Sequence, residues 1–332
     1  MRIAILGAGA WGSALAQHAA AVHPVRLWTR DPAHADALRR ERVNARYLPG
    51  VAFRHGVEFD SDLATVLDWL RSGPGLLVLA TPVAGLRPTL RAIKALGGSG
   101  TATIWLSKGL ERDSGLLPHQ VVAQESAGAR CGALSGPSFA QEVAAGLPVA
   151  LTAASADESV AEAAVQAFHH GAARIYRSDD LIGVEIGGAL KNVMAIAAGI
   201  CDGLALGHNA RAALITRGLA EISRFGVALG ARVETFTGLT GLGDLVLTCT
   251  GDLSRNRRVG LGLARGQPLT EVLAELGHVA EGVACAGVVD RSGRALGVEL
   301  PIVAAVQAVL EGRLAPRDAV LSLLSREPKR EH

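Results

Sequence analysis

The sequence predicts an α/β fold in its first half and an all-helical fold in its second half. Up to about residue 180, short apolar runs of strand length, such as "GLLVLA" and "ATIWLS", alternate with amphipathic helical stretches. Such alternation is typical of a mostly parallel sheet covered by helices on both faces. From about Asp179 onward, long helical patterns replace the strand-like runs. We therefore expect two domains, over residues 1–180 and 181–332, with the boundary inside or just before a long helix.

The individual elements of the first half can be assigned in chain order. The predicted strands are "RIAIL", "VRLW", "GLLVLA", "ATIWLS", "CGALS" and "PVALTAA". A helix is predicted over Ala10–Val22, and a second one after Asp31, which can cap it with Pro32 in the first turn. In the second half, helical patterns cover Leu181–Leu204, Arg211–Leu229 and shorter stretches up to Leu324. The charged end "SREPKREH" is expected to fray.

Composition and charge argue against several classes of protein. The 332 residues are 49% hydrophobic, and their formal net charge is only +2. This balance is typical of a globular protein rather than a disordered one, and it argues against a general nucleic-acid-binding surface. "MRIAILGAGAWG" begins directly with a strand pattern, and no uninterrupted apolar run reaches membrane-spanning length. We expect neither a secretion signal nor membrane insertion.

Cysteines and histidines give no sign of a metal site. The four cysteines show no CxxC spacing, which fits reduced thiols in the cytoplasm. The ten histidines form no ligand pattern either. His169 and His170 are adjacent, so their side chains should point to different sides of a helix or strand.

A glycine pattern follows the first predicted strand. "GAGAWG" supplies Gly7, Gly9 and Gly12 in the spacing G-x-G-x-x-G, between a strand and a helix. In a dinucleotide-binding loop, the first glycine permits a tight turn, the second lets a pyrophosphate approach the backbone, and the third lets the helix pack on the strand. The start of the helix adds partial positive charge. The alternative is a glycine-rich turn that binds no ligand.

The end of the second strand bears on the choice of cofactor. An acidic residue there favours NAD, whereas a nearby arginine accommodates the 2′-phosphate of NADP. "VRLWTRD" places Arg30 at this point, and Asp31 is better explained as a helix cap. The sequence therefore slightly favours NADP(H) and leaves NAD(H) open.

Polar residues follow two later strands. "WLSKGLE" puts Lys108 just past a strand, and "LSGPSFAQE" does the same for Gly136 and Ser138. Open α/β sheets bind ligands at the carboxyl ends of their strands. We expect Pro137 and Ser138 to begin a helix whose free amides face a phosphate or the cofactor. A solvated loop lysine remains the alternative for Lys108.

The helical half contains two charged residues in apolar surroundings. Lys191 and Asn192 lie in the middle of "GVEIGGALKNVMAIAAG", where Gly187 and Gly188 suggest a close approach by another group. Apolar neighbours lower the pKa of a lysine, which suits proton transfer. Asp244, in "GLGDLVLT", is the natural partner of Lys191. A lysine that reaches out to solvent and an aspartate that caps a helix remain the alternatives.

A polar cluster follows this segment in "DLVLTCTGDLSRNRR". Ser254 can cap a helix that starts at Arg255 and can bring free amides, the Arg255 guanidinium and the Asn256 amide to one point. Such convergence suits a phosphate dianion. Arg257 and Arg258 should project elsewhere. A nucleic-acid patch is disfavoured, because no aromatic residues are interleaved with the basic ones.

Taken together, these motifs resemble the NAD(P)-dependent glycerol-3-phosphate dehydrogenases of the bacterial type. The resemblance covers nearly the whole chain and rests on "GAGAWG", "NARYLPG", "SKGLE", "SGPSFAQE", "GGALKNVMAIAAG", "NARAALITRGLAE", "GLGDLVLTCT" and "SRNRR" in that order. It implies an N-terminal Rossmann-type doubly wound parallel sheet and an all-helical C-terminal domain like that of 6-phosphogluconate dehydrogenase. It also implies interconversion of dihydroxyacetone phosphate and sn-glycerol 3-phosphate with NADP(H) or NAD(H), supplying phospholipid synthesis, by a cytoplasmic homodimer.

The resemblance also implies roles for individual residues. Lys191 is the proton donor or acceptor, and Lys108 and Asp244 assist it. Contacts to substrate are implied for Lys108, Gly136, Ser138, Lys191, Asp244, Ser254, Arg255 and Asn256. Besides the three loop glycines, the implied cofactor site comprises Ala10, Trp11, Arg30, Lys108, Ala140, Arg255, Val279 and Glu281. Thr248 is implied to lie close to the reaction centre.

The sequence departs from the family at one loop and leaves two other functions open. "ATPVAG" lacks a polar pair that many members carry, so no site residue is assigned in Thr81–Val83. A related dehydrogenase of the same architecture could act on another hydroxy acid or sugar phosphate. A nucleotide-sensing protein without catalysis would be expected to lack Lys191 or Asp244, and both are present.

Overall fold

The computed structural model describes residues 1–277 and 279–325. The chain forms two compact units, one from Met1–Lys108 and Leu116–Glu185, the other from Gly109–Gly115 and Ile186–His332. The domain bounds expected from the sequence, 1–180 and 181–332, stay a prediction, since each compact unit combines separate segments. The expected fraying of "SREPKREH" concerns residues that, apart from Ser325, lie outside the described part.

The first unit is built on an eight-stranded sheet. Its strand order is β10-β9-β8-β7-β6-β1-β2-β5, and all neighbours are parallel except β8 and β9. The strands are β1 Arg2–Leu6, β2 Val25–Trp28, β5 Val57–Asp60, β6 Gly75–Leu79, β7 Ala102–Trp105, β8 Cys131–Ser135, β9 Val149–Ala154 and β10 Ala173–Ser178. A separate antiparallel hairpin joins β3 Val43–Asn44 to β4 Leu48–Ala52. The predicted mostly parallel sheet is confirmed.

Helices cover both faces of this sheet. They are α1 Ala10–Ala19, α2 Pro32–Glu41, α3 Leu63–Arg71, α4 Val83–Ala95, α5 Pro118–Glu125, α6 Ala140–Ala144 and α7 Glu158–Phe168. Alternate residues of β1 enter two different cores: Ile3 and Ile5 pack in one, Ala4 and Leu6 in the other. This period of two is the reason why a run of consecutive apolar residues, such as Ile3–Leu6, predicts a sheet buried on both sides.

Two strands of the sheet were not assigned from the sequence. β5 "VEFD" and β10 "ARIYRS" lie at the two edges, and both alternate buried with exposed or partly exposed residues. Edge strands carry polar residues on their solvent side, so they lack the continuous apolar run that identifies a central strand.

The described part of the second unit is helical, as predicted. Helix α8 Leu181–Gly203 leads into it and is followed by α9 Gly207–Ala228, α10 Val233–Thr237, a π-helical turn Leu239–Gly243, α11 Asp244–Thr250, α12 Arg255–Ala264, α13 Leu269–Leu276, α14 Glu281–Ala295, α15 Pro301–Leu310 and α16 Pro316–Leu324.

Helix α8 carries Lys191 and is the most apolar long helix of the described residues. Among the described residues, it is the single helix that is long and apolar enough to cross a membrane by length and composition, and 89% of its most apolar 18-residue window is buried. It contacts α12 backbone to backbone. A side-chain carbon on Gly199 would overlap the carbonyl of Arg257, and one on Gly260 would overlap the carbonyl of Ile196. These glycines bring the start of α12 close to α8.

Candidate active site

The glycine loop of the first unit joins β1 to α1. Gly7 has a φ of +125°, and a Cβ there would lie 2.7 Å from the carbonyl oxygen of Ala80. A Cβ on Gly12 would overlap the carbonyl of Gly7. Around Gly9, by contrast, a Cβ would meet nothing within 4 Å. Packing therefore explains the first and third glycines, whereas the second leaves open space in front of the backbone, as the approach of a pyrophosphate requires.

Other residues expected at the cofactor lie around this loop. Trp11 and Ala140 pack in one small cluster with Ala14 and Val143. The end of β2 is adjacent, because the amide of Gly7 donates to the carbonyl of Trp28 at 2.9 Å. Arg30 follows that strand and is exposed.

The sequence also predicted how the helix after Arg30 begins. Asp31 caps α2 by accepting a hydrogen bond from the amide of Ala33 at 3.0 Å, with Pro32 as the first helical residue. This cap is confirmed. It leaves Arg30 as the charged side chain at the end of β2.

Lys108, Gly136 and Ser138 form a second group, past the carboxyl ends of β7 and β8. The Lys108 ammonium donates to the carbonyl oxygen of Gly136 at 3.3 Å, and the Ser138 hydroxyl donates to the same oxygen at 3.0 Å. Gly136 has a φ of +136°, and a Cβ there would lie 3.1 Å from the carbonyl oxygen of Ala150. The backbone conformation thus requires glycine at this position. The carbonyl oxygen of Gly136 accepts hydrogen bonds from both polar side chains and holds them close together.

One expectation about this group was wrong. Pro137 and Ser138 do not begin a helix, because α6 starts at Ala140 and has only five residues. The positive φ of Gly136 and the bond from Ser138 to its carbonyl hold the preceding residues in a turn. The free amides that were expected there do not belong to a helix.

In the second unit, Lys191 and Asp244 form a buried ion pair. The lysine Nζ lies 2.5 Å from the aspartate Oδ1, and the side chains are 9% and 0% exposed. Thr248 lies beside them: its hydroxyl donates to the carbonyl of Asp244 at 2.6 Å, and 3.5 Å separates it from the aspartate Oδ1. The predicted partnership of lysine and aspartate is thus present. Lys191 does not reach out to solvent.

The local fold explains how the pair comes together. A Cβ on Gly187 would overlap the carbonyl of Thr240, so the π-helical turn lies directly against α8. That turn leads into α11, whose first residue is Asp244. The N-cap of α11 is Gly243, which means that the carboxylate of Asp244 does not serve as the helix cap. The carboxylate forms the ion pair with Lys191 instead.

A network of amides lies next to the pair. The Asn256 side chain donates to the Asn192 Oδ1 at 2.9 Å and accepts from the amide of Gly282 at 3.0 Å. Asn192 in turn donates to the carbonyl of Gly188 at 3.3 Å. The network links α8, α12 and α14. Asn192 and Gly282 were given no role from the sequence; a buried asparagine beside the lysine was the available signal for the first, and none existed for the second.

The start of α12 has the predicted form. Ser254 is its N-cap and accepts from the amide of Arg257 at 3.3 Å. Arg255 is exposed, whereas Asn256 is buried. Arg257 pairs with Asp202 of α8 at 2.8 Å and with Asp252 at 2.9 Å. Its guanidinium is thus engaged in ion pairs with the protein.

Two further residues expected at the cofactor belong to the second unit. Val279 is 55% exposed, and Glu281 is the first residue of α14, next to Gly282 of the amide network.

Two buried thiols of the second unit are not nucleophiles at neutral pH. Burial raises the pKa of Cys249 and of Cys285 to about 12, so neither supplies a thiolate.

Comparisons with known proteins identify the family to which the chain belongs. The sequence model of the NAD-dependent glycerol-3-phosphate dehydrogenase N-terminus matches residues 2–161, and that of the C-terminus of the same enzymes matches residues 180–321. The chain belongs to this family. It is therefore an NAD-dependent glycerol-3-phosphate dehydrogenase by family, an oxidoreductase with a nicotinamide cofactor and a phosphorylated small-molecule substrate.

Solved structures agree with the family assignment. Glycerol-3-phosphate dehydrogenase from Coxiella burnetii is 41% identical, with a TM-score of 0.93, over 98% of this chain and 99% of that chain. The enzyme from Saccharomyces cerevisiae is 26% identical, with a TM-score of 0.81, over 98% and 99%. The one from Plasmodium falciparum, at 24% identity and a TM-score of 0.86 over 99% and 97%, shows the shared fold. The predicted fold class and enzyme class are confirmed, while the roles of single residues stay predictions.

Proposed function

We propose that the buried Lys191–Asp244 pair provides the proton chemistry by which this glycerol-3-phosphate dehydrogenase interconverts dihydroxyacetone phosphate and sn-glycerol 3-phosphate. The observation that carries the proposal is the Lys191 ammonium, on the largely apolar helix α8, held at 2.5 Å from a fully buried carboxylate. The glycerol 3-phosphate formed would be used in phospholipid synthesis, which is consistent with the family.

Each member of the pair has its own task. A reduced nicotinamide, when bound, would supply the hydride for the ketone carbon. Lys191 donates a hydrogen bond to the carbonyl oxygen and then a proton, and takes the proton back in the reverse direction. Asp244 compensates the charge of the ammonium and orients it. Lys108 adds positive charge for the developing alkoxide, and a preorganised charge of this kind is often a large term in catalysis.

The phosphate of the substrate is assigned to the start of α12. The Ser254-capped end supplies backbone amides and partial positive charge, and the exposed Arg255 supplies a guanidinium. Asn256 contributes through its remaining amide hydrogen. Gly136 and Ser138 are assigned further substrate contacts. Binding energy from the phosphate, remote from the reacting carbon, fixes the carbonyl for the chemical step.

The cofactor is assigned to the glycine loop and its surroundings. The open space before Gly9 and the start of α1 suit a pyrophosphate. The remaining cofactor residues proposed are Gly7, Ala10, Trp11, Gly12, Arg30, Lys108, Ala140, Arg255, Val279 and Glu281. We assign a slight preference for NADP(H), because the exposed Arg30 follows β2 and Asp31 is engaged as a cap.

Replacement of the lysine tests the proposal directly. Lys191→Ala should abolish turnover of dihydroxyacetone phosphate while the affinity for NADPH, measured by fluorescence titration, stays within about twofold. Lys94→Ala removes an exposed lysine on α4 and is the matched control with normal turnover. Near-normal turnover of Lys191→Ala would contradict the assigned role.

The phosphate assignment has its own matched pair on one helix. Arg255→Ala should raise KM for dihydroxyacetone phosphate by about 10- to 100-fold, as loss of a charged hydrogen bond implies. Arg258→Ala, also exposed on α12, should leave KM unchanged. Equal KM values for the two variants would remove Arg255 from the phosphate site.

Cofactor preference can be read from initial rates with NADPH and NADH. The wild type should favour NADPH slightly, and Arg30→Ala should reduce kcat/KM for NADPH more than for NADH. An unchanged ratio of the two values would show that another residue sets the preference.

We also propose a cytoplasmic homodimer. The exposed apolar side chains Leu206, Val227, Val233 and Val246 of the second unit support dimerisation through the helices. The four free cysteines support a reducing compartment. Light scattering at micromolar concentration should give twice the mass of the chain, and a monomeric mass would contradict the dimer.

A further inference from the structure

The first unit contains a small pocket that the proposed reaction does not use. It has a volume of about 240 Å³ and is lined by the end of α1, the segment after β4, the α6–β9 connection and the turn before β10. Its walls are mostly small residues of the last two segments, together with four polar side chains: Gln17, His18, Arg54 and His170. Three of these, His18, Arg54 and His170, are basic. The volume is below the usual range for drug-sized ligands, about 300–1,000 Å³. It suits a single phosphate-sized group rather than a dinucleotide.

The ionisable side chains that line this pocket are all basic. No acidic side chain belongs to its lining. The guanidinium of Arg54 makes no hydrogen bond or ion pair with the described residues. The hydrogen bonds of this residue run through its backbone: its amide donates to the side-chain oxygen of Gln17 at 2.7 Å, and its carbonyl accepts from the Arg42 guanidinium. Arg54 is close enough to lower the pKa of both His18 and His170. A permanent positive charge thus lies beside two groups that can become positive.

The two histidines are stacked on each other. Their ring centroids lie 4.1 Å apart and their planes differ by 3°. His18 is fixed by its Nε2, which lies 2.9 Å from the carbonyl oxygen of Phe168. The Nε2 of His170 is buried and has no hydrogen-bond partner among the described residues. A proton at that atom would therefore lack an acceptor among the described residues.

The pKa of His170 is lowered to about 4, first by burial and then by its positive neighbours. The charged and titratable groups around it are His18, His23, Arg54, the adjacent His169, and Arg174, which donates to the carbonyl of Gly171 at 2.9 Å. All of these groups are cationic or become cationic on protonation. A bound anion would oppose each of them, and Coulomb attraction favours a doubly charged anion over a singly charged one.

We propose that the pocket lined by His18, Arg54 and His170 is a binding site for a small phosphate-bearing anion, which takes up a proton at the histidine stack when it binds. The glycine loop and this pocket adjoin opposite ends of α1. His18 follows Ala10 by eight residues, which corresponds to about 12 Å along a helix. The pocket is therefore a site of its own and does not depend on the function proposed for the second unit.

Histidine NMR tests the proposal on the full-length chain. The experiment uses the Arg255→Ala variant, so that the proposed substrate-phosphate site does not contribute. Inorganic phosphate, sulfate and glycerol 3-phosphate are titrated separately, with sodium chloride at matched ionic strength as the reference. His170→Asn assigns the signals. Phosphate should shift the ring signals of His18 and His170 in a saturable manner. Sulfate, whose charge is constant over this pH range, should raise the apparent pKa of His170 by at least about one unit.

Two arginine variants decide whether the pocket is responsible. Arg54→Gln should weaken phosphate binding by at least about tenfold, the usual scale for a lost charge-assisted bond. It should fold normally, because the hydrogen bonds that Arg54 makes with the described residues run through its backbone. Arg317→Gln, an exposed arginine on α16, changes the net charge equally and should bind like its parent. Equal affinity of the two variants would overturn the proposal, as would equal histidine shifts with chloride. A response to glycerol 3-phosphate but not to inorganic phosphate would identify a metabolite rather than the free ion as the ligand.

Discussion

The ammonium nitrogen of Lys191 and a carboxylate oxygen of Asp244 lie 2.5 Å apart, although 53 positions separate the two residues in the sequence. Both side chains are buried, so each would carry a large desolvation cost without the other. Apolar residues of similar volume would stabilise the same space equally well or better. The pair is therefore better explained by its chemistry than by the stability that it adds.

A double-mutant cycle on this pair gives the first prediction. Lys191→Met should lower the free energy of unfolding by about 3–5 kcal/mol, because it removes the ammonium that compensates the buried charge of Asp244. Asp244→Asn should cost less, since the amide oxygen still accepts a hydrogen bond. The double variant should be more stable than the sum of the two losses implies. Urea unfolding measures all three values, and all three variants should be inactive.

The cycle has a clear contrary outcome. If the two losses add within about 0.5 kcal/mol, the residues do not interact and the ion pair is absent in solution. Lys94→Met, at an exposed position of α4, controls for the general effect of replacing a lysine and should unfold like the wild type.

The glycine loop gives a second prediction, from two positions three residues apart. Gly9→Ala should fold with an unchanged melting temperature, because a Cβ there meets nothing within 4 Å, yet it should weaken NADPH binding at least about tenfold. Gly12→Ala should be destabilised, because its Cβ overlaps the carbonyl of Gly7. Thermal unfolding and fluorescence titration separate the two effects. Tight NADPH binding by a folded Gly9→Ala would show that the pyrophosphate lies elsewhere.

The parts of the fold and site that could be predicted were those specified by local chemistry. β1 is apolar at four consecutive positions, Ile3–Leu6, because it is buried on both faces there, and Asp31-Pro32 begins a helix because the carboxylate caps it. Lys191 and Asp244 could be paired in advance because an isolated charge in an apolar segment requires a partner. Ser254 could be assigned as a cap for the same local reason as Asp31.

The features that were missed depend on contacts distant in sequence. The edge strands β5 and β10 alternate polar and apolar residues, so only pairing in the sheet identifies them. Gly282 joins the amide network through its backbone, which carries no sequence signal. The start of α6 was misplaced, because the positive φ of Gly136 follows from its packing against β9 rather than from its neighbours.

The amide network gives a third prediction, at the residue beside the lysine. Asn192→Ala removes the acceptor that holds the Asn256 amide at 2.9 Å, so the side chain that we assign to the substrate phosphate should lose its orientation. KM for dihydroxyacetone phosphate should rise about tenfold, the scale of one lost hydrogen bond, with kcat changed less. KM for NADPH is the internal control and should stay constant. A fall in kcat and in melting temperature at unchanged KM would assign Asn192 a structural role only.

The stacked histidines give a fourth prediction, on the pH dependence of stability. Burial lowers the pKa of His18 below its ordinary value of 6.5, and the pKa of His170 falls to about 4. Between pH 6.5 and 4 the unfolded chain therefore binds more protons than the folded one, and stability falls as the pH falls through this window.

Other titratable groups also change the free energy of unfolding between pH 6.5 and 4, and a variant separates their effect from that of the histidines. Burial raises the pKa of Glu185, which acts in the opposite direction, because a protonated Glu185 favours the folded state at low pH. Since His170→Asn leaves Glu185 in place, the difference between wild type and variant isolates the stack. In urea unfolding without phosphate, the wild type should lose more stability than His170→Asn from pH 7 to 4.5, and above pH 7 the two curves should run parallel. Parallel curves over the whole range would mean that His170 keeps an ordinary pKa and that the stack does not form in solution.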